Sequence, residues 1–191
     1  MLAKATKPKR CSVCPSMFTP TRPFVRWCSP ECGLELARSK RAKAEKAAAV
    51  KDRKETRAKL EKLKKRSKWL SECQAIINKI VRLRDANLGC CSCDKGPEWG
   101  GQWHASHLRS VGAASSVRFH LWNIAKSCSV CNNHLSGNLS AYLPRARQRL
   151  GDEKVDWLYA QNHQANYSIE YLKRLKLVMG KKLKRMEARI K

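Results

Sequence analysis

A mostly helical α+β protein organised around two small metal-held units is what this sequence predicts, and three observations predict it. Cysteines fall into short pairs, Cys11-x2-Cys14, Cys28-x3-Cys32, Cys90-x2-Cys93 and Cys128-x2-Cys131, a spacing that suits zinc more than disulfides. A lysine- and alanine-rich run from Ala37 to Lys68 contains no Gly or Pro and has high helix propensity. Only Gln102–Leu108 and a stretch near Ser116–His120 read as extended, which leaves most of the second half to helices.

The first unit runs from Cys11 to Cys32. Phe18, Pro20, Phe24 and Trp27 are the few apolar groups that such a minidomain can bury around a metal. Arg26-Trp27-Cys28-Ser29-Pro30-Glu31-Cys32 looks like the second half of a treble-clef zinc knuckle. There a Ser-Pro-Glu turn opens a helix and the last cysteine lies in its first turn. Cys11, Cys14, Cys28 and Cys32 are thus assigned to one structural zinc ion, and residues 1–36 to a knuckle domain. A structural or protein-docking task fits it as well as direct DNA contact does.

Residues 37–68 form a basic helical linker, with 15 Lys/Arg against 4 Asp/Glu. Its apolar residues are too sparse for a packed face or a sustained heptad. The bland reading is a solvated connector. The charge density favours an arm for phosphate backbones, with Lys62, Lys64, Lys65 and Arg66 among its contacts.

A third domain, 69–191, opens with Trp69, Leu70, Cys73, Ile76, Ile77 and Ile80 at helical steps, the stripe of an amphipathic helix. Cys73 reads as a small core residue, and Cys91 falls off the ligand spacing. Within residues 88–140, a strand–loop–strand followed by a helix from about Cys128 makes a ββα unit. Cys90, Cys93, Cys128 and Cys131 clamp its ends on a second structural zinc ion. The part from 141 to 191 is helical. Asp152–Gln161 is one helix there. Ser168 caps another, whose stripe is Tyr171, Leu172, Leu175, Val178, Met179, Leu183, Met186 and Ile190.

The 191 residues carry 41 Lys+Arg against 15 Asp+Glu, a formal charge of +26. Such an excess concentrates phosphate polymers near the chain and speeds encounter with them. No apolar run approaches membrane-spanning length, and no signal-like segment follows the Met1–Arg10 start. Nucleic acid is therefore the expected partner, membrane is not, and a reducing cytoplasm is the expected compartment. Arg109, Arg118, Lys126, Arg145, Arg147 and Arg149 are candidate DNA contacts around the central segment.

Hydrolysing a phosphodiester takes a base for water, a cation for developing charge and stabilisation of the leaving oxygen. From Leu88 to Asn138 the only acids are Asp94 and Glu98, which argues against a carboxylate cluster holding two metals. An imidazole base with one divalent cation remains, magnesium first and manganese second. His107 is the candidate base, since imidazole titrates near ~6.5 and is largely neutral at cellular pH. Asn123 would orient that ring or brace the loop. Asn132 and His134, placed by Cys131, are candidate ligands of the cation, and His104 would assist the metal or grip a phosphate. Singly, each has an ordinary structural reading; together, inside one zinc frame, they outline an active site.

The same residues carry a family resemblance. Cys11-x2-Cys14, Trp27-Cys28-Ser29-Pro30-Glu31-Cys32-Gly33, Ala105-x-His107, Arg118-Phe119, Asn123-Ile124 and Cys128-x2-Cys131-Asn132-x-His134-x-Ser136-Gly137-Asn138-Leu139 resemble the Rap (NinG) recombination family of lambdoid phages. That resemblance implies a structure-specific endonuclease for branched DNA such as Holliday junctions and D-loops, acting in the bacterial host's cytoplasm beside phage or host recombination proteins. The central segment is also similar to HNH, or ββα-metal, nucleases and to phage endonuclease VII. This implies His107 as base, Asn132 or His134 on the cation, His104 as a further active-site histidine and a 5′-phosphate product. In the endonuclease VII pattern an aspartate precedes the base, where Ser106 stands here, and in the Rap pattern an acid can replace His104. Symmetric junction cleavage needs two active sites, which makes a homodimer the expectation, although no interface signature appears.

Overall fold

The computed structural model describes residues 7–190 apart from Pro23, in two compact units, 1–63 and 64–191. In the first, β1 (Lys9–Arg10) pairs antiparallel with β2 (Met17–Phe18), and their turn holds Cys11 and Cys14. Helix α1 (Pro30–Leu63) starts on a proline with Glu31 in its first turn, both favourable at a helix N-terminus. A side chain at Gly33 would meet the Trp27 indole nitrogen at 2.9 Å, so this first turn closes on the knuckle only with glycine.

The boundary expected at residue 36 falls inside α1. The knuckle's closing helix and the basic arm are one continuous helix, because no Pro interrupts the sequence after Pro30 and Gly33 sits in the first turn. None of α1 is buried. Its ion pairs Arg41–Glu45 and Lys51–Glu55 lie in solvent and add little. Propensity, not packing, sustains this helix. The helix ends at Leu63, short of the expected 68. Lys64 belongs to the second unit, where its ammonium sits 3.1 Å from Glu72.

The second unit is built on α2 (Arg66–Arg84) and α5 (Ile169–Ala188). Trp69, Cys73, Ile77 and Val81 of α2 meet Leu172, Phe119 and Ile124 in one core, as the stripe predicts. Ser168 caps α5 by accepting the Tyr171 N–H. The α5 stripe is narrower than expected: Leu172, Leu175 and Met179 face the core, while Tyr171, Val178 and Ile190 are exposed.

Between these helices lies the hairpin of β3 (Trp103–His107) and β4 (Ile124–Cys128), paired from Trp103↔Cys128 to His107↔Ile124. The expected second strand near Ser116–His120 is not the one that forms. That segment makes a 3-10 turn at Ser115–Val117, and another follows at Leu121–Asn123. The true partner was hidden because all five residues of β4 are buried, and a strand covered on both faces loses its alternating pattern. One hairpin face turns Ala105 and Ile124 toward α2. The other turns Ala125 toward a second core with Leu108, Tyr142, Ala146, Val155 and Leu158, from α3 (Leu139–Leu150) and α4 (Asp152–Ala160).

The helix expected near Cys128 is a single π-helical turn, Val130–His134. Ser136, Gly137 and Asn138 then take positive φ of 50°, 91° and 48°, which reverses the chain before α3. The reversal is anchored on the first knuckle of this unit: Ser92 Oγ donates to the Gly137 carbonyl, and the Asn138 amide donates to the Ser92 carbonyl. Among the described residues, no helix is long and apolar enough to cross a membrane.

Candidate functional site

Both cysteine quartets converge. In each set, Cys11, Cys14, Cys28, Cys32 and Cys90, Cys93, Cys128, Cys131, the sulfurs lie within 4.8 Å of one another. Four thiolates about 2.3 Å from a tetrahedral zinc would stand about 3.8 Å apart. Cys93 and Cys128 are 3.8 Å apart, as are Cys28 and Cys32. Both sites could hold zinc. In the second, the Cys90 sulfur accepts the N–H groups of Ser92 and Cys128, and Cys128 accepts that of Cys131, the usual support for a thiolate. Hydrogen bonding from Cys91 is the largest influence on Cys90; burial opposes it, yet the pKa falls to about 4.

The quartet fixes Cys131, and Asn132 is the next residue. Its carbonyl oxygen accepts from Ser106 Oγ at 2.8 Å, and its amide nitrogen lies 3.2 Å from His104 Nδ1 and 2.8 Å from Asn133 Oδ1. Ser106 in turn meets Ser127 Oγ at 2.7 Å across the hairpin. A polar cluster of His104, Ser106, Ser127 and Asn132 thus forms on one side of the hairpin, with one carbonyl lone pair of Asn132 to spare. The structure brings His104 and Asn132 together as expected and adds Ser106, which stands where the endonuclease VII pattern has its aspartate. His134, two residues on, is exposed.

His107 ends β3 on the other face, since successive strand residues alternate. Its Nε2 lies 3.0 Å from the Arg118 carbonyl. A carbonyl only accepts, so Nε2 carries the hydrogen and Nδ1 keeps the lone pair in the neutral ring. Burial pushes the His107 pKa down, the Arg118 carbonyl works against this, and the Arg118 charge adds to the fall; the net shift is below the ordinary imidazole value. Among the described residues Asn123 makes no hydrogen bond to the His107 ring. It is wholly buried, accepts the Arg109 N–H at 2.7 Å and donates to the carbonyls of Arg109 and Val117. Of the two roles expected for it, the structure gives it the brace, tying together the loop that leaves His107.

Several expected DNA contacts have partners within the protein, and of these Lys126 is buried. Lys126 donates to the Ala86 carbonyl and lies over the Trp103 ring. Arg149 and Arg84 both bind the buried carboxylate of Asp85, which also accepts the Lys126 N–H. Arg145 binds Asp94 and the Cys93 carbonyl, and Arg147 binds Asp152 and Asp156. Arg109 holds the Tyr159 carbonyl and Asn162, Arg118 holds Gln74, and Arg66 holds Asn166. A sequence counts charges and cannot show which of them have partners in the fold. Lys62 and Lys65 remain exposed.

A residue that the sequence alone did not single out is Arg82 on α2. It borders a polar cavity of about 290 Å³ with Asn78, Gln102, His104 and Asn132. Its only sequence signal is that Asn78 and Arg82, four apart, interrupt the hydrophobic stripe on one side of α2.

Known proteins resemble this chain over nearly its whole length. A family model described as bacteriophage Lambda NinG protein matches residues 3–189. Protein ninG of Escherichia phage lambda is 40% identical over 197 residues, covering 96% of this chain and 95% of that protein. Protein ninG of Salmonella phage P22 is 39% identical over 196 residues, again with 96% and 95% coverage. Protein ninG of Escherichia phage 933W is 38% identical over 189 residues, with 92% of each chain covered. No solved structure matches the chain.

Proposed function

The chain belongs to the bacteriophage NinG family, and from that premise we propose that it is a structure-specific DNA endonuclease acting on branched recombination intermediates, Holliday junctions and D-loops, in the host cytoplasm. The observation that carries this reading is the meeting of Asn132 with His104 and Ser106 beside a cysteine quartet. Polar groups remote in sequence converge there on the strand that delivers His107.

In this reading two zinc ions are structural. His107 takes a proton from water at its free ring nitrogen, and its lowered pKa keeps the ring neutral and competent near neutral pH. The spare carbonyl lone pair of Asn132, with His134 nearby in sequence, offers neutral ligands to one divalent cation. When bound, magnesium or manganese would polarise the phosphate and neutralise developing charge. The product would carry a 5′-phosphate. The exposed lysines and arginines of α1 supply attraction for the DNA backbone. A homodimer would provide the two active sites that symmetric cleavage needs, and phage or host recombination proteins are further expected partners.

One observation favours a second reading, a non-catalytic zinc-dependent nucleic-acid-binding or scaffold protein. Of the two acids in the central segment, Asp94 is held by Arg145 and Glu98 lies against the Gly96 turn, so no carboxylate joins the cluster. A synthetic four-way junction decides between them. Magnesium-dependent nicking by the wild type and its loss in His107→Ala support the nuclease. Binding without nicking across divalent metals would replace it with the second reading.

A further inference from the structure

We propose that the cavity between α2 and the start of β3 is an anion subsite for a backbone phosphate next to the scissile one, with Arg82 as its cation. The inference rests on the endonuclease reading and assigns that site a substrate contact. The cavity's lining includes the donors of Asn78, Arg82, Gln102 and Asn132 and no carboxylate, and the Arg82 charge makes it favourable to an anion. Arg84, two residues on, is fully engaged with Asp85 and the carbonyls of Leu121 and Ile124. Arg82, in contrast, has no hydrogen-bond or ion-pair partner among the described residues. Asn78, one turn earlier, accepts the Gln74 amide at its oxygen and keeps its NH2 group for a ligand.

The imidazole of His104 makes the strongest case. The Asn132 oxygen is fixed as acceptor by Ser106, so the Asn132 nitrogen is the donor to His104 Nδ1. The hydrogen of a neutral His104 ring therefore sits on Nε2. That atom is buried and has no partner. A buried donor without an acceptor is rare in a folded protein, and a phosphate oxygen supplies what the chain does not. His104 is then a phosphate-gripping residue, not a metal ligand, and shares Asn132 with the candidate cation site.

The test measures affinity of the full chain for a synthetic four-way junction across a salt series, in wild type, R82A and R82K. R174A and R174K, at an exposed position of α5, serve as controls. R82A is expected to weaken binding by about tenfold or more, the size of a charge-assisted hydrogen bond, and to lower the log–log salt slope by about 0.9. R82K is expected to recover the slope but not the affinity, because a point charge replaces a planar fork; R174K should match wild type throughout. Zinc content and thermal unfolding check the fold, and R82K carries the test if R82A is unfolded. An R82K indistinguishable from wild type, or an R82A no weaker than R174A, overturns the subsite. Wild-type protein that binds without nicking would sink the endonuclease reading, while the R82A and R82K affinities still decide this one.

Discussion

The amide of Asn132 lies 3.2 Å from the Nδ1 of His104, 28 positions earlier in the chain. No regular helix places that amide: it sits in one π-helical turn whose position is set by the Cys128 and Cys131 ligands. The cysteine quartet and the polar cluster are therefore mechanically one object.

Removing a ligand of the second quartet should dismantle the cluster, and removing one of the first should not. Wild-type protein is expected to carry two zinc ions per chain, and Cys128→Ser and Cys11→Ser each one. Cys128→Ser should also lose the cooperative unfolding of the second unit and all cleavage, since a structural zinc is part of the folding free energy. Cys11→Ser should retain both. Metal analysis with thermal unfolding tests the pair; equal loss of second-unit stability in both variants contradicts it.

His107→Ala should lower cleavage by roughly 10²–10⁴-fold, the usual contribution of a general base, with junction affinity unchanged. The wild-type rate should also report the ring's titration. Burial, the main cause, depresses the His107 pKa, so the active neutral form persists below the ordinary ~6.5. The rate should fall only as pH drops through that lower value and stay level from there to neutrality. A rate–pH profile with its midpoint above ~6.5 would mean that another group is the base.

The parts legible in the sequence were those whose physics is local. Cysteine spacing located both quartets, the Trp69–Ile80 stripe gave α2, and Ser168 gave the start of α5. What failed was non-local. The strand Ile124–Cys128 looks like a featureless run because it is covered on both faces. Lys126 looked like surface charge because its acceptor, the Ala86 carbonyl, is 40 positions away, and the tie of the exposed Arg149 to Asp85 spans 64. Ser106 looked like a mere departure from a pattern until its hydroxyl was found on Asn132.

Asn123 separates a brace from a catalytic group. Asn123→Ala removes three hydrogen bonds and strands the Arg109 N–H and carbonyl, while the Val117 carbonyl keeps the His120 N–H; this should cost about 2–4 kcal/mol at roughly 1 per bond plus the desolvated groups left behind. Cleavage should fall with the loosening of the 108–117 loop and recover partly on cooling or with stabilising osmolytes. Full stability with cleavage abolished would return Asn123 to the chemistry.

The α1 helix gives an electrostatic prediction. With none of its residues buried, neutralising Lys46, Arg53, Lys54 and Arg57 to Gln should leave folding and kcat unchanged. Junction binding should weaken, with the salt slope reduced by about 0.9 for each cation that neutralises a phosphate. Binding isotherms at several salt concentrations measure this, and an unchanged slope would remove α1 from the DNA-binding surface.

Asp85 is the tie between α2, β4 and α3. Its carboxylate is 1% exposed and takes charged hydrogen bonds from Arg84 and Arg149 and the N–H of Lys126. Burial alone would raise its pKa, but the two guanidiniums outweigh it and hold the carboxyl below the ordinary value. A depressed folded-state pKa means that the stabilisation is present above the unfolded value of ~3.9 and is lost as pH falls through the lower folded one. Asp85→Asn should therefore cost about 3 kcal/mol at neutral pH, the penalty for breaking a buried pair from one side. The gap between variant and wild type should close as the solution is made more acidic than ~4. Thiolate protonation and zinc loss at low pH act on both proteins, so the difference between their denaturant midpoints isolates the carboxylate. A gap that stayed constant with pH would show that the substituted amide disturbs packing and that the charge of Asp85 itself contributes nothing.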